Sequence, residues 1–166
     1  MAKTDRRETR EANLLSEELR VAFGRHCREA RIKRGLSQQE VAALSGISQS
    51  NITIIEHGQK NITLETLMRI LRVVDRELAR RLKGDLKARF GENVRAARSD
   101  AGLSQAQLSE RAGVSRQSIS LIETGSANVK LETVAAMARA VGQDPNQLLE
   151  GVFGTRATSG RPSVGG

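Results

Sequence analysis

The chain has no tryptophan and no tyrosine. Intrinsic fluorescence therefore offers little signal, and binding has to be followed through a labelled partner. Cysteine occurs once, as Cys27. A single cysteine excludes an intramolecular disulfide, which fits a reducing cytosol, and it removes the usual basis of a zinc-ligand cluster. No apolar run approaches the roughly 18 residues of a membrane span. The N-terminal stretch MAKTDRRETREANLL carries acidic residues and no apolar core, so no secretion signal is expected. There is no phosphate-binding glycine loop and no nucleophile elbow. Nothing alternates like strands. These absences point to a cytoplasmic, all-helical protein with no membrane contact, no cofactor and no metal site.

What the chain does have is positive charge. Its 27 Lys+Arg against 19 Asp+Glu give a formal net charge of +8 and a pI near 10.7. That balance favours a polyanionic partner. The excess is uneven: residues 19–84 carry +7, residues 86–151 only +1.

Those two stretches are copies of one another. Gly35 to Gly58 reads GLSQQEVAALSGISQSNITIIEHG, and 67 residues later Gly102 to Gly125 reads GLSQAQLSERAGVSRQSISLIETG. Residues 19–84 superimpose on 86–151 without a gap, with 24 identities in 66 positions, so the chain reads as two units rather than one. Two copies are too few for a solenoid, and each supplies enough helices for a closed bundle. Units of this size can fold alone. The expected organisation is an arm at 1–15, disordered or frayed, a first domain at 16–84, a second at 85–151, and a Gly/Ser/Thr-rich disordered tail at 152–166. His26 and His57 do not recur in the second copy, where Asn93 and Thr124 stand, so no catalysis is expected.

The same pattern of helix signals runs through both units. Ser16 is placed to cap a first helix running to about Arg34. Its apolar positions Leu19, Phe23, Cys27 and Ala30 share one face, as do Leu86, Phe90, Val94 and Ala97. Cys27 thus matches Val94 and reads as a small buried residue. Gly35 and Gly102 end the first helices. Ser37 with Glu40, and Ser104 with Gln107, have capping-box spacing and start a second helix. Its apolar side is Val41 and Leu44 in the first copy, Leu108 and Ala112 in the second. Gly46 and Gly113 make a tight turn. Ser48 and Ser115 cap a third helix, which Gly58 and Gly125 end. A fourth helix follows near 63–74 and 130–141, and Asp144-Pro145 opens a fifth carrying Leu148 and Leu149. In the first copy the chain can bend at Asp75 or continue straight. Leu67, Leu71, Val74, Leu78 and Leu82 then form a stripe, either core or, for Leu78 and Leu82, equally a surface for the other domain or a second chain.

A short helix, a glycine turn and a second short helix make a helix-turn-helix. With G-L-S-Q, G-[IV]-S, I-x-x-[IL]-E-x-G and the following L-E-T, each copy resembles the Cro/cI-type helix-turn-helix, the XRE family of phage repressors and bacterial regulators. The resemblance implies two tandem lambda-repressor-like domains of about five helices each, and a double-stranded DNA partner. A helix fits the major groove, where base edges are readable. The exposed positions of the third helix are expected to read it: Gln49, Ser50 and Thr53 in the first copy, Arg116, Gln117 and Ser120 in the second. Gln pairs bidentately with adenine and Arg with guanine. By resemblance, Gln38 and Gln105 touch phosphate and brace the reading helix, Ser48 and Ser115 face the groove, and Lys60, Asn61, Asn128 and Lys130 contact backbone. The four Ser residues 37, 48, 104 and 115 read equally as caps. Arg31 with Glu56, and Arg98 with Glu123, are expected as structural ion pairs. Ile54 and Leu121 stand where many relatives have a polar residue, as a thymine-methyl contact or a buried position.

The reading is a transcriptional regulator of repressor type that recognises two unequal half-sites. If two chains pair, a longer symmetric site is expected, so a homodimer stays open. The alternative is an antitoxin-like or anti-activator module whose partner is a protein. Non-specific nucleic-acid binding is a third reading.

Overall fold

Except at Ser16, the serine capping signals act where the sequence puts them. Ser37 and Ser104 accept from the backbone N–H of Glu40 and Gln107, whose side chains return the bond, and so start α2 (Gln38–Ser45) and α7 (Gln105–Ala112). Gly46 and Gly113 follow with φ of 66°, a left-handed backbone that glycine adopts without steric cost. Ser48 and Ser115 then cap α3 (Gln49–Glu56) and α8 (Arg116–Glu123). Before each trio runs a longer helix, α1 (Ala2–Lys33) and α6 (Leu86–Asp100); after it come α4 (Leu64–Val74) with α5 (Arg76–Arg81), and α9 (Leu131–Val141) with α10 (Pro145–Leu148). This computed structural model describes residues 2–82 and 85–149. The described residues form an all-α fold with no strand, only one isolated bridge between Thr63 and Lys130. The tail at 152–166 and its expected disorder lie outside the described residues, as does Gly84. No helix among the described residues is long and apolar enough to cross a membrane.

Helix α1 departs from the expected pattern. It begins at Ala2, so the charged residues before Ser16, expected as a disordered or frayed arm, continue the helix. Ser16 is not a cap; it lies mid-helix and is buried. Its neighbours Leu15 and Leu19 pack on the core, and α1 runs along α9 of the other unit as well as its own α3 and α4. That packing gives the first turns of α1 a buried rail to extend, which charge density alone does not suggest.

One contiguous apolar core spans both units. Phe23, Leu67 and Leu71 of the first and Phe90, Leu131 and Val134 of the second are essentially inaccessible. Cys27 belongs to it; burial pushes its thiol pKa well above the ordinary value, and the charges of Glu56 and Asp75 add to the shift. Leu78 and Leu82 are buried too, so the stripe they end is core. The chain bends at Asp75, which breaks α4 and then caps α5 by accepting from Leu78 N at 2.9 Å.

Leu44 overturns its expected place. It is 65% exposed, and Ser45 is buried on α2 beside the expected Val41. Ser45 is the counterpart of Ala112, so the apolar faces of α2 and α7 agree once the register is taken from the second copy. The burial leaves the Ser45 hydroxyl without a hydrogen-bond partner among the described residues.

Two glycines set how close α3 and α8 come to the helices beneath them. A Cβ on Gly24 would run into the carbonyl oxygen of Ile55 and come within 2.8 Å of that of Glu56. A Cβ on Gly91 would meet the carbonyl oxygen of Ile122 in the same way.

Candidate nucleic-acid interface

The buried side of α3 is Ile52 and Ile55, and of α8 Ile119 and Ile122. Three-residue spacing turns these inward and leaves the intervening positions outward. Gln49, Ser50, Arg116, Gln117 and Ser120 are all exposed. The side chains of Gln49, Arg116 and Gln117 make no hydrogen bond or ion pair among the described residues. Ile54 and Leu121 are also outward, at 39% and 45% exposure. Of the two readings open for them, the buried one does not hold, and each unit presents an apolar side chain beside its polar positions.

An ion-pair network holds each reading helix. Arg31 Nε and Nη2 donate to Glu56 at 2.6 and 2.9 Å, and Nη1 donates to Leu36 O. Arg98 repeats this with Glu123 at 2.5 and 3.2 Å and with Leu103 O. Burial pushes the Glu56 carboxyl pKa up, but hydrogen bonds from Arg31 and Gln38 and the charges of Arg31 and Arg28 outweigh it and hold it below the ordinary range. Glu123 is held down likewise, by Arg98 and Gln105 with the charge of Arg95. These pairs tie α1 to α3 and α6 to α8, a structural role.

Gln38 and Gln105 are part of the same network. Their amides donate to Glu56 and Glu123 at 2.9 and 3.0 Å, which is the brace expected of them. The units then differ. Thr53 donates its hydroxyl to Gln38 Oε1 at 2.9 Å, tying an outward residue of α3 back to α2. Ser120, its counterpart, makes no such bond among the described residues. Unit two therefore presents the freer set of polar groups.

Ser48 and Ser115 act as caps, accepting from Asn51 N and Ser118 N. Ser48 also shares a hydrogen bond with Ser50. Lys60 is exposed and donates to Asn51 Oδ1 at 2.5 Å, which places its charge beside the first turn of α3. Asn51 was not singled out by sequence, because it reads as an ordinary helix-start polar residue.

Asn61 and Asn128, expected at the DNA backbone, lie where the two units meet. Their side-chain amides bond across to the other unit: Asn61 to Glu132 and Asn128 to Glu65. Lys130 is exposed, at the bridge with Thr63. Glu65 and Glu132 escaped the sequence reading; the only signal for them is that both recur in L-E-T.

His26 lies away from these positions, its Nε2 3.0 Å from Asp75 Oδ2, whereas His57 ends α3 with its Nδ1 2.7 Å from the backbone oxygen of Thr53.

Comparison with known proteins matches both units. Residues 28–81 fit a family described as helix-turn-helix, and residues 89–150 one described as helix-turn-helix domain. An uncharacterized HTH-type transcriptional regulator of Haemophilus influenzae is 39% identical over 72 residues, covering 43% of this chain and 68% of that protein. No solved structure matches.

Proposed function

The chain belongs to the helix-turn-helix transcriptional regulators, as a tandem of two XRE-like units, and from that premise we propose that it reads two unequal DNA half-sites, one with α3 and one with α8. The observation that carries the reading is the pair of outward faces, each braced from behind and left open in front. Gln49, Ser50 and Ile54 face out on α3; Arg116, Gln117, Ser120 and Leu121 face out on α8. Arg116 suits the O6/N7 edge of guanine, Gln49 and Gln117 the N6/N7 edge of adenine, and Ile54 and Leu121 the thymine methyl.

The labour is divided between the units. Unit one carries most of the net charge, and phosphate contacts bind without reading sequence. Unit two has the Arg-Gln pair and an untied Ser120, and it contributes more discrimination. Lys60 and Lys130 supply backbone contacts. Residues 16–84 and 85–151 are thus two readers, set in the cytoplasm where the chain meets DNA.

Arg116→Ala tests the assignment. It is expected to weaken binding to the chain's selected site by roughly 5- to 150-fold, the equivalent of about 1–3 kcal/mol. Affinity for unrelated duplex should change much less. An equal loss on both would contradict the division of labour.

The protein-binding alternative rests on the Leu78/Leu82 stripe and on the charged N-terminus; the two leucines are buried, which removes the first of these supports. A DNA-reading role leans on no such surface.

A further inference from the structure

Equivalent residues of the two units stand 67 positions apart, and the bonds between the units follow that offset in both directions. Leu64 N donates to Val129 O, and Leu131 N donates to Ile62 O, each at 2.9 Å. The second bond is the first with the units exchanged. Asn61 Nδ2 donates to Glu132 Oε2 at 2.9 Å, and Glu132 N donates to Asn61 Oδ1 at 3.2 Å. Asn128 Nδ2 donates to Glu65 Oε2 and Glu65 N donates to Asn128 Oδ1, both at 3.1 Å. At the centre is the antiparallel bridge of Thr63 with Lys130, a residue facing its own counterpart.

This is the pattern of an isologous interface, in which residue i meets j' and j meets i'. Head-to-tail stacking pairs unlike positions and gives no return bond. An antiparallel pairing of equivalent residues has a two-fold axis through its midpoint. Helix packing agrees: α1 lies on α9, and α4 on α6. Here both halves of such an interface belong to one chain.

We propose that this internal two-fold makes a single chain the reader of an inverted, imperfect repeat, with α3 and α8 presented in opposite directions about the Thr63–Lys130 bridge. The proposal rests on the DNA-reading function above and adds to it the order of the half-sites. A protein two-fold placed on DNA imposes inverted half-sites. Different reading residues then make the inversion imperfect. Asn61, Glu65, Asn128 and Glu132 are positioning residues: they hold the separation of the two helices and so restrict the spacing the chain accepts.

The axis is testable without DNA. Nitroxide labels are placed at two pairs of exposed positions in a Cys27→Val background, valine being the residue of the second copy. One pair is Ser50 with Arg111, the other Leu44 with Gln117. A two-fold exchanges these pairs, so pulsed dipolar spectroscopy should return two equal, narrow distances. Clearly unequal distances, or broad distributions, would overturn the axis. Double substitution Asn61→Leu with Asn128→Leu should broaden both distributions together. Selection of bound duplexes from a random pool then reads the order. Inverted halves at one spacing support the proposal, with the double variant accepting several spacings. Halves in direct order would overturn the inverted readout even with equal distances. Equal distances without any enriched sequence would overturn the regulator reading while supporting the axis.

Discussion

Ser45 and Ala112 occupy one site in two copies, and the comparison isolates a single hydroxyl. The Ser45 oxygen is buried with no hydrogen-bond partner among the described residues, and such a group costs about 1–3 kcal/mol. Alanine also has the higher helix propensity, by about 0.5 kcal/mol. Ser45→Ala should therefore stabilise the protein by roughly 1–2 kcal/mol, seen as a higher urea midpoint by circular dichroism. A loss of stability would mean that the hydroxyl has a role its surroundings do not show. Sequence reading placed Leu44 in that core position. Hydrophobicity favoured the leucine, but helix phase favours residue 45, and the counterpart Ala112 already marked the phase. At residue scale the caps, the ion pairs and Cys27 were legible because each depends on local spacing or on a partner repeated twice. The fates of Asn61 and Asn128 were not: their partners are 71 and 63 residues away, and an exposed asparagine in a loop looks the same whether it meets phosphate or the other unit.

Helix against helix, the decisive contacts are Gly24 under α3 and Gly91 under α8. Alanine in a helix interior normally gains about 0.5–1 kcal/mol over glycine. Here its Cβ would strike backbone carbonyls of the crossing helix, which cannot swing away as a side-chain tip can. Overpacking of this kind costs typically about 1–3 kcal/mol, so the clash wins. Gly24→Ala and Gly91→Ala should each lower the thermal midpoint. An unchanged or raised midpoint would show that the helices can separate freely. The ion pairs implied that α1 meets α3 and α6 meets α8, but how close they come was not legible, because both glycines sit inside helical patterns, where propensity gives no hint of a neighbour. Element existence was readable except at α5, where no glycine or proline decides between a bend at Asp75 and a straight helix. The start of α1 was not: residues 2–15 have no apolar face of their own, and the helix through them continues from a segment anchored on α9.

For the whole molecule, the repeat predicted two units able to fold alone, whereas the structure joins them through one core. The α1–α9 packing and the reciprocal bonds across Thr63–Lys130 span the boundary between them. Unfolding should then be a single cooperative transition, with far-ultraviolet circular dichroism and hydrogen exchange losing both units together. Two separated transitions would restore the picture of independent domains. The repeat itself was open to view, down to its 67-residue offset. Its symmetry was not, because identical copies can be stacked head-to-tail or about a two-fold, and only the contacts between them distinguish the two.

The tandem-reader function meets its most direct test in selection of bound duplexes from a random DNA pool at near-physiological salt. The enriched sequence should contain two unequal half-sites with centres about one helical turn, roughly 10 base pairs, apart. Binding that enriches nothing, and that falls steeply with salt on every duplex alike, would contradict it and leave a protein held to DNA by charge alone.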